Sequence, residues 1–246
     1  MSANGAVIYR GPSMLDGAPI VVIATGLAKS SRNEKTGDMV QTWIMREDMH
    51  PSEAVKTGAD ASVCGDCPHR GASCYVQVWR APAVVWKAHQ RGVYPMAADL
   101  AAIRALGRGR MVRLGAYGDP AAVPAEVWSA LCAEASGWTG YTHQWRKAPH
   151  LRQWCMASAD SPADGIEARA QGWRTFRVRL EGEELERKRE FVCPASAEAG
   201  RKTDCASCKA CMGSSAKAKA SPVIIAHGPT ARRFALYRNG QSVPAH

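Results

Sequence analysis

No apolar run in this chain approaches the roughly 18–20 residues that a bilayer-spanning helix needs, which excludes a membrane helix. The opening residues, Met1 to Gly5, carry neither the basic patch nor the apolar stretch of a secretory signal, so a cytoplasmic location is expected. No segment repeats at a fixed period. With 46% hydrophobic and 22% charged residues the composition is not extreme, which excludes global disorder and the collagen-like and coiled-coil classes. Acidic residues are in deficit, 22 against 32 basic, and the resulting charge of +10 favours contact with nucleic acid, a nucleotide or another phosphate-bearing ligand. At 246 residues the chain makes one large domain or two small ones and is too long for a disulfide-stapled miniprotein.

The nine cysteines are the most informative count. An odd number without an export signal argues against a disulfide framework, because cytosolic thiols stay reduced and clustered ones there bind metal. All but Cys132 and Cys155 fall in two clusters; these two sit on a predicted helix and strand and read as small buried hydrophobes.

Strand and helix signals alternate along the chain. Pro19 to Ala28 (PIVVIATGLA) is β-branched and apolar, and Met39 to Met45 (MVQTWIM) alternates after the turn Lys35-Thr36-Gly37-Asp38, which predicts an N-terminal hairpin. Pro82 opens a helix that Gly92 stops. Arg110 to Ala116 reads as a strand running into Tyr117-Gly118-Asp119-Pro120, and a helix follows from about Pro124, with Val127, Leu131 and Ala135 on one face. Thr139 to Trp145, Leu151 to Ala157, Trp173 to Leu180 and Pro222 to His227 are further strand candidates, and Ser161-Pro162 caps a short helix. Glu181 to Glu190 reads as a solvated connection, and Lys209 to Ala220 as a lysine-rich stretch of small residues.

Strands separated by helices imply parallel pairing under helical cover. The expected fold class is therefore α/β, a partial or irregular (β/α) barrel with a cysteine-rich C-terminal metal-binding extension. A doubly wound sheet is its rival, since the candidates at Thr139 and Leu151 leave no room for a helix between them. The barrel-like domain is expected over residues 1–190, including the hairpin and a cysteine loop at 64–75, with residues 191–246 packed on the same body.

In the first cluster Cys64, Cys67 and Cys74 are spaced by turn-forming residues, so a short loop can aim three thiolates at one centre. With His69 the set reads as tetrahedral zinc; without it, as a [4Fe–4S] cluster with one iron open. The second cluster is Cys193-Pro194 followed by Cys205, Cys208 and Cys211, a reversed version of the bacterial ferredoxin spacing, with a four-cysteine zinc site as the alternative.

Three cysteines ending in Cys74-Tyr75, a helix, and a strand ending in Gly115-Ala116-Tyr117-Gly118-Asp119-Pro120 resemble, in order and chemistry, the radical S-adenosylmethionine enzymes. Similar short proteins occur in phages and plasmids, which implies a host cytoplasm. The cysteine spacing, two residues and then six, departs from the three and two of that superfamily. The resemblance implies one or two [4Fe–4S] clusters, S-adenosylmethionine bound at Gly115, Gly118 and Asp119, cleavage of its sulfonium to a radical, and a reducing partner. It also implies chemistry at the carboxyl ends of strands, where Tyr141 and His143 are the catalytic candidates and Gln144, Ser158, Asp160 and Arg177 stand nearby in sequence. Trp145 with Arg146 and Lys147 suits stacking a base and holding a phosphate. The alternative function is a non-enzymatic, zinc-stapled phage-type protein that binds nucleic acid or a host partner.

Overall fold

The computed structural model describes residues 3–29, 33–200, 202–214, 218 and 220–243. Strands β1 (Gly5–Pro12), β2 (Pro19–Thr25) and β3 (Met39–Arg46) come first, followed by helices α1 (Pro51–Thr57), α2 (Ala61–Cys64), α3 (Ala81–Gln90) and α4 (Leu100–Gly107). The middle of the chain alternates β4 (Met111–Tyr117), α5 (Ala125–Cys132), β5 (Gly137–Thr142), β6 (Met156–Ala159), α6 (Pro162–Ala170) and β7 (Thr175–Arg179). The last elements are β8 (Glu190–Val192), α7 (Cys205–Cys208), β9 (Ser221–Ile225) and α8 (Ala231–Arg238).

The nine strands form one open sheet in the order β1-β2-β3-β4-β5-β6-β7-β9-β8. The pairs β1–β2 and β2–β3 are antiparallel, and every pair from β3 onward is parallel. The expected hairpin is thus β2–β3, with β1 as an additional edge strand. The class is α/β. No helix among the described residues is long and apolar enough to cross a membrane.

Local chemistry explains the elements that the sequence marked. Ile20 to Ala24 are fully buried, as an uninterrupted apolar strand covered on both faces must be. Helix α6 starts where Ser161 accepts from the Asp164 N–H at 3.1 Å and returns its hydroxyl to the Asp164 carboxylate at 2.7 Å. Two expectations fail. Leu151 to Ala157 is a strand only from Met156, because Pro149 opens a 3₁₀ turn over Pro149–Gln153 that buries Leu151 and brings Trp154 inward. Glu181 to Glu190 is not simply solvated: the Glu190 side chain is 1% exposed and meets Arg177, which is 2% exposed, through Nε–Oε1 and Nη2–Oε2 contacts of 2.8 Å each. Two arginines of β7, Arg177 and Arg179, are buried and demand anionic partners.

One large core joins Ile20, Ile23, Ile44, Leu114, Trp128, Leu131, Trp145 and Leu151, with Cys132 and Cys155 inside it as expected of small hydrophobes. A second cluster is small, with Cys193, Ala195 and Ile224 buried and Phe176, Val178 and Cys205 against them. Strands β8 and β9 tie the C-terminal part of the chain into the sheet, β9 lying between β7 and β8. Residues 215–217 and 219 of the lysine-rich stretch lie outside the described residues.

Candidate metal centres

The first cysteine loop follows β3 and closes on itself by successive tight turns. Cys67 N–H donates to the Cys64 carbonyl, Arg70 N–H to that of Cys67, and Ala72 and Cys74 N–H to that of His69. Arg70 clamps the loop by donating to the Gly65 carbonyl at 2.9 Å, the Gly58 carbonyl at 2.7 Å and Asp60 at 2.8 Å. Cys64, Cys67 and Cys74 are near enough to oppose one another's ionisation. Burial and then its two neighbouring thiols push Cys64 well above the ordinary thiol value, and burial pushes Cys74 to about 11.

The turn after β4 anchors this loop. Asp119 N–H donates to the Val63 carbonyl at 2.6 Å, tying the turn to the helix that ends in Cys64. The Asp119 carboxylate accepts from Ala121 N–H at 3.0 Å, Thr142 Oγ1 at 2.7 Å and His143 N–H at 2.8 Å. Three of its roughly four acceptor sites are therefore used inside the protein, stapling the end of β4 to the end of β5. Burial pushes its pKa up despite these bonds. The two glycines serve backbone packing. A Cβ on Gly115 would lie 2.5 Å from the Gly118 carbonyl oxygen, one on Gly118 would lie 2.7 Å from that of Ile44, and both residues have positive φ.

His143 and Asp160 leave the ends of β5 and β6 beside the loop. His143 Nδ1 lies 3.5 Å from Cys67 Sγ, and its Nε2 lies 3.5 Å from Asp160 Oδ2. His69 reaches the same carboxylate oxygen through Nε2 at 2.9 Å, while its Nδ1 meets Ser73 Oγ at 2.6 Å. Burial opposes charge on His143, but Cys67 and Asp160 outweigh it and raise its pKa well above the ordinary value. Burial likewise opposes charge on Asp160, and the His143 and His69 nitrogens outweigh it, holding the carboxyl below the usual range.

The second set gathers around β5, β8 and β9. Cys193 N–H donates to the Val223 carbonyl, and Cys205 N–H to the Lys35 carbonyl in the turn before β3. Asp204 caps the short helix that carries Cys205 and Cys208, and Arg174 donates to the Ala210, Gly213 and Ala220 carbonyls. Burial pushes Cys211 to about 12, the nearby Tyr141 hydroxyl acts in the opposite sense, and Cys193, Cys205 and Cys208 oppose its ionisation. Tyr141 is raised well above its ordinary value by burial and then by Cys211 and Cys205.

Comparison with protein families, with curated proteins and with solved structures gives no match. The chemistry therefore rests on the residues themselves. All nine cysteines are free, so neither cluster is tied up in disulfides. Among the described residues, no three cysteine sulfurs lie within 4.8 Å of one another. A tetrahedral zinc site with Zn–S bonds of about 2.3 Å needs sulfurs about 3.8 Å apart.

The predicted site residues thus divide. Cys67 opposes ionisation of Cys64 and Cys74, and Cys193 and Cys208 oppose that of Cys205 and Cys211, so each set shares a neighbourhood without any three sulfurs lying within 4.8 Å of one another among the described residues. His69, expected as a fourth zinc ligand, instead faces Asp160 and Ser73. Tyr141 and His143 do not share a site: Tyr141 meets Cys211 and His143 meets Cys67, so one strand end touches both sets. Trp145, expected to stack a base, is 1% exposed and buried in the core, with the Arg146 guanidinium 3.8 Å above its ring centre. Arg177 is an ion-pair partner of Glu190 rather than a strand-end group. Sequence reasoning missed Thr142, Ser73 and the α8 aromatics Phe234 and Tyr237, whose rings lie 5.4 and 4.9 Å from that of His69. The i, i+3 spacing of those two aromatics was the available signal.

Proposed function

We propose that this chain is an iron–sulfur protein of atypical radical S-adenosylmethionine type, built on an open, partial (β/α) barrel. The observation that carries the reading is that alternate positions at the end of β5 face both cysteine sets, Tyr141 against Cys211 and His143 against Cys67. Arg113 adds a second link, since it donates to the Tyr75 hydroxyl at 2.9 Å beside the first loop and its charge also acts on Cys205.

Cys64, Cys67 and Cys74 would hold an active cluster, and Cys193, Cys205, Cys208 and Cys211 an auxiliary one. The donor chemistry fits. Thiols that burial and mutual repulsion keep protonated gain most from a cationic centre that deprotonates them. Sulfurs spaced wider than tetrahedral zinc requires favour a larger inorganic core over a single zinc ion. Bound as a cluster, the first centre would supply one electron to the sulfonium of a cofactor held at the open iron by its amine and carboxylate.

The chain's own residues have narrower tasks. Asp119 holds the strand ends in register and keeps about one acceptor site for a cofactor amine. Tyr141 would donate to Cys211 and stabilise its thiolate. The net charge of +10 supports a nucleotide, nucleic acid or other phosphorylated substrate. Retention on a polyanion column in moderate salt supports that substrate class, and complete flow-through at low salt removes it.

The deciding experiment is replacement of Cys74 by alanine in anaerobically purified protein. The reading expects broad visible absorption in the parent and loss of about half its iron in the variant. A colourless parent that contains zinc establishes the competing staple instead.

A further inference from the structure

We propose that His69, His143 and Asp160 bind a divalent transition-metal ion, a third inorganic centre separate from those of the cysteines. These are the three side chains among the described residues whose ligand atoms all lie within 4.8 Å of one another. His69 Nε2 and His143 Nε2 stand 2.9 and 3.5 Å from the same Asp160 oxygen. An ion with metal–ligand bonds of about 2.0–2.2 Å sets neighbouring donors about 2.9–3.5 Å apart in octahedral or tetrahedral arrangements.

The alternative is an aspartate bridging two protonated imidazoles. That arrangement requires the Nε2–H groups to point at the carboxylate. Neither does: both Nε2 atoms are buried without a hydrogen-bond partner, and the His69 side chain is only 9% exposed. Buried nitrogens that converge on a carboxylate but do not donate to it are orphans that an ion would satisfy.

The opposite edges of both rings are arranged to leave Nε2 free. Ser73 Oγ lies 2.6 Å from His69 Nδ1, and Cys67 Sγ lies 3.5 Å from His143 Nδ1. An ion entering between Nε2 and Asp160 would take the place of any Nε2 proton and leave Nδ1–H donated to that partner, as in metal-binding histidines whose outer partner fixes the tautomer.

The fold also leaves room for a further ligand. His143 and Asp160 sit at the carboxyl ends of adjacent parallel strands, while Phe234 and Tyr237 cover His69. A cavity of about 240 Å³ lined by His143, Asp160, Ser158 and Tyr237 opens beside the carboxylate. Two imidazoles and one carboxylate on one side, with open positions toward a cavity, suit Fe²⁺, Zn²⁺ or Mn²⁺ carrying water or an oxygen-donor ligand.

The test uses the full chain, dialysed against a chelator that removes mononuclear ions, with Mn²⁺ as the probe because it favours oxygen and imidazole over thiolate. Free Mn²⁺ is counted by its electron paramagnetic resonance signal. The expected result is uptake of one Mn²⁺ per chain. Asp160→Asn should weaken it at least about tenfold and Ser73→Ala about 10–100-fold, as the loss of a ligand and of an outer partner predict. Iron and sulfide contents of Asp160→Asn should equal those of the parent, which separates this centre from the cysteine-held ones. Mn²⁺ left free at millimolar concentration by the parent, or bound equally by both variants, overturns the proposal. Should Asp160→Asn fail to fold, Ser73→Ala decides alone. One-for-one Mn²⁺ uptake by a chain without iron would uphold this site and remove only the cluster reading.

Discussion

The first cysteine loop rests beside the end of β4, whose residues Leu114 and Tyr117 belong to the large core, and its Val63 neighbour, also of that core, is held through the Asp119 backbone. The second rests on a patch with three buried members, Cys193, Ala195 and Ile224, and is held largely by charge and backbone capping. Each loop has an arginine that donates to its carbonyls, yet Arg70 has a buried carboxylate partner in Asp60, whereas the Arg174 guanidinium donates to carbonyls among the described residues and is pulled below its ordinary pKa by burial. Similar ligand atoms are thus mounted on unequal foundations. The first loop is backed by the large apolar core as well as by its polar clamps, whereas the second has little apolar backing and, under the proposed function, would lean more on an inorganic centre.

The most damaging way to probe this difference is to strip both centres. Apo protein should be cut by trypsin at Lys202 or Lys209 at least about tenfold faster than loaded protein, while Arg70 stays protected, because metal-coupled folding is worth on the order of 10 kcal/mol where little else supports a segment. Mass spectrometry of the fragments decides, and equal cleavage in both loops removes the distinction.

Next in size is Glu190→Ala, which leaves Arg177 buried beside a missing partner and should cost about 3–5 kcal/mol in urea unfolding, with loss of iron from the second set first. The same pair makes a pH prediction. Burial opposes charge on Glu190, but Arg177 outweighs it and lowers the folded pKa. A depressed carboxyl contributes stability above the unfolded value of about 4.3 and loses it as pH falls through the folded value. The urea midpoint should therefore drop below about pH 4 in the parent and be flatter there in Glu190→Ala; matching slopes would falsify the role of the pair.

Gly118→Ala sharpens the comparison from the other side. A methyl group there meets the Ile44 backbone at 2.7 Å in a left-handed conformation and should cost about 2–4 kcal/mol, disturbing the first set and sparing the second. Thr142→Val removes one hydrogen bond to the Asp119 carboxylate and should cost about 1.5–3 kcal/mol, measured by thermal unfolding. Ser161→Ala, remote from both loops, should cost only about 1 kcal/mol and leave the iron content unchanged.

Patterned elements were legible in advance. Pro19 to Thr25, Met111 to Tyr117 and the Ser161 cap declare themselves through apolar runs and capping chemistry. Helix α8 does not, because ARRFALYR is polar on most sides and buries only Phe234. The two cysteine groups were read from spacing, and local turns bring each group into one neighbourhood, where Cys67 opposes ionisation of Cys64 and Cys193 that of Cys211. The meeting of His69 with Asp160 was not, because it depends on where a loop from β3 lands relative to the end of β6. Gly115, Gly118 and Asp119 were read as a cofactor-binding turn, and what residue identity did not reveal is that the glycines pack backbone against backbone and Asp119 joins two strands. Hydrogen-bond saturation of this kind is a three-dimensional property that residue identity does not reveal.

The most direct test of the whole account is a count of iron, acid-labile sulfide and zinc in the anaerobically purified chain. Two cysteine-held cubanes predict about eight iron atoms and about eight sulfides per chain, with little zinc. Stoichiometric zinc with no sulfide would contradict the account at its centre.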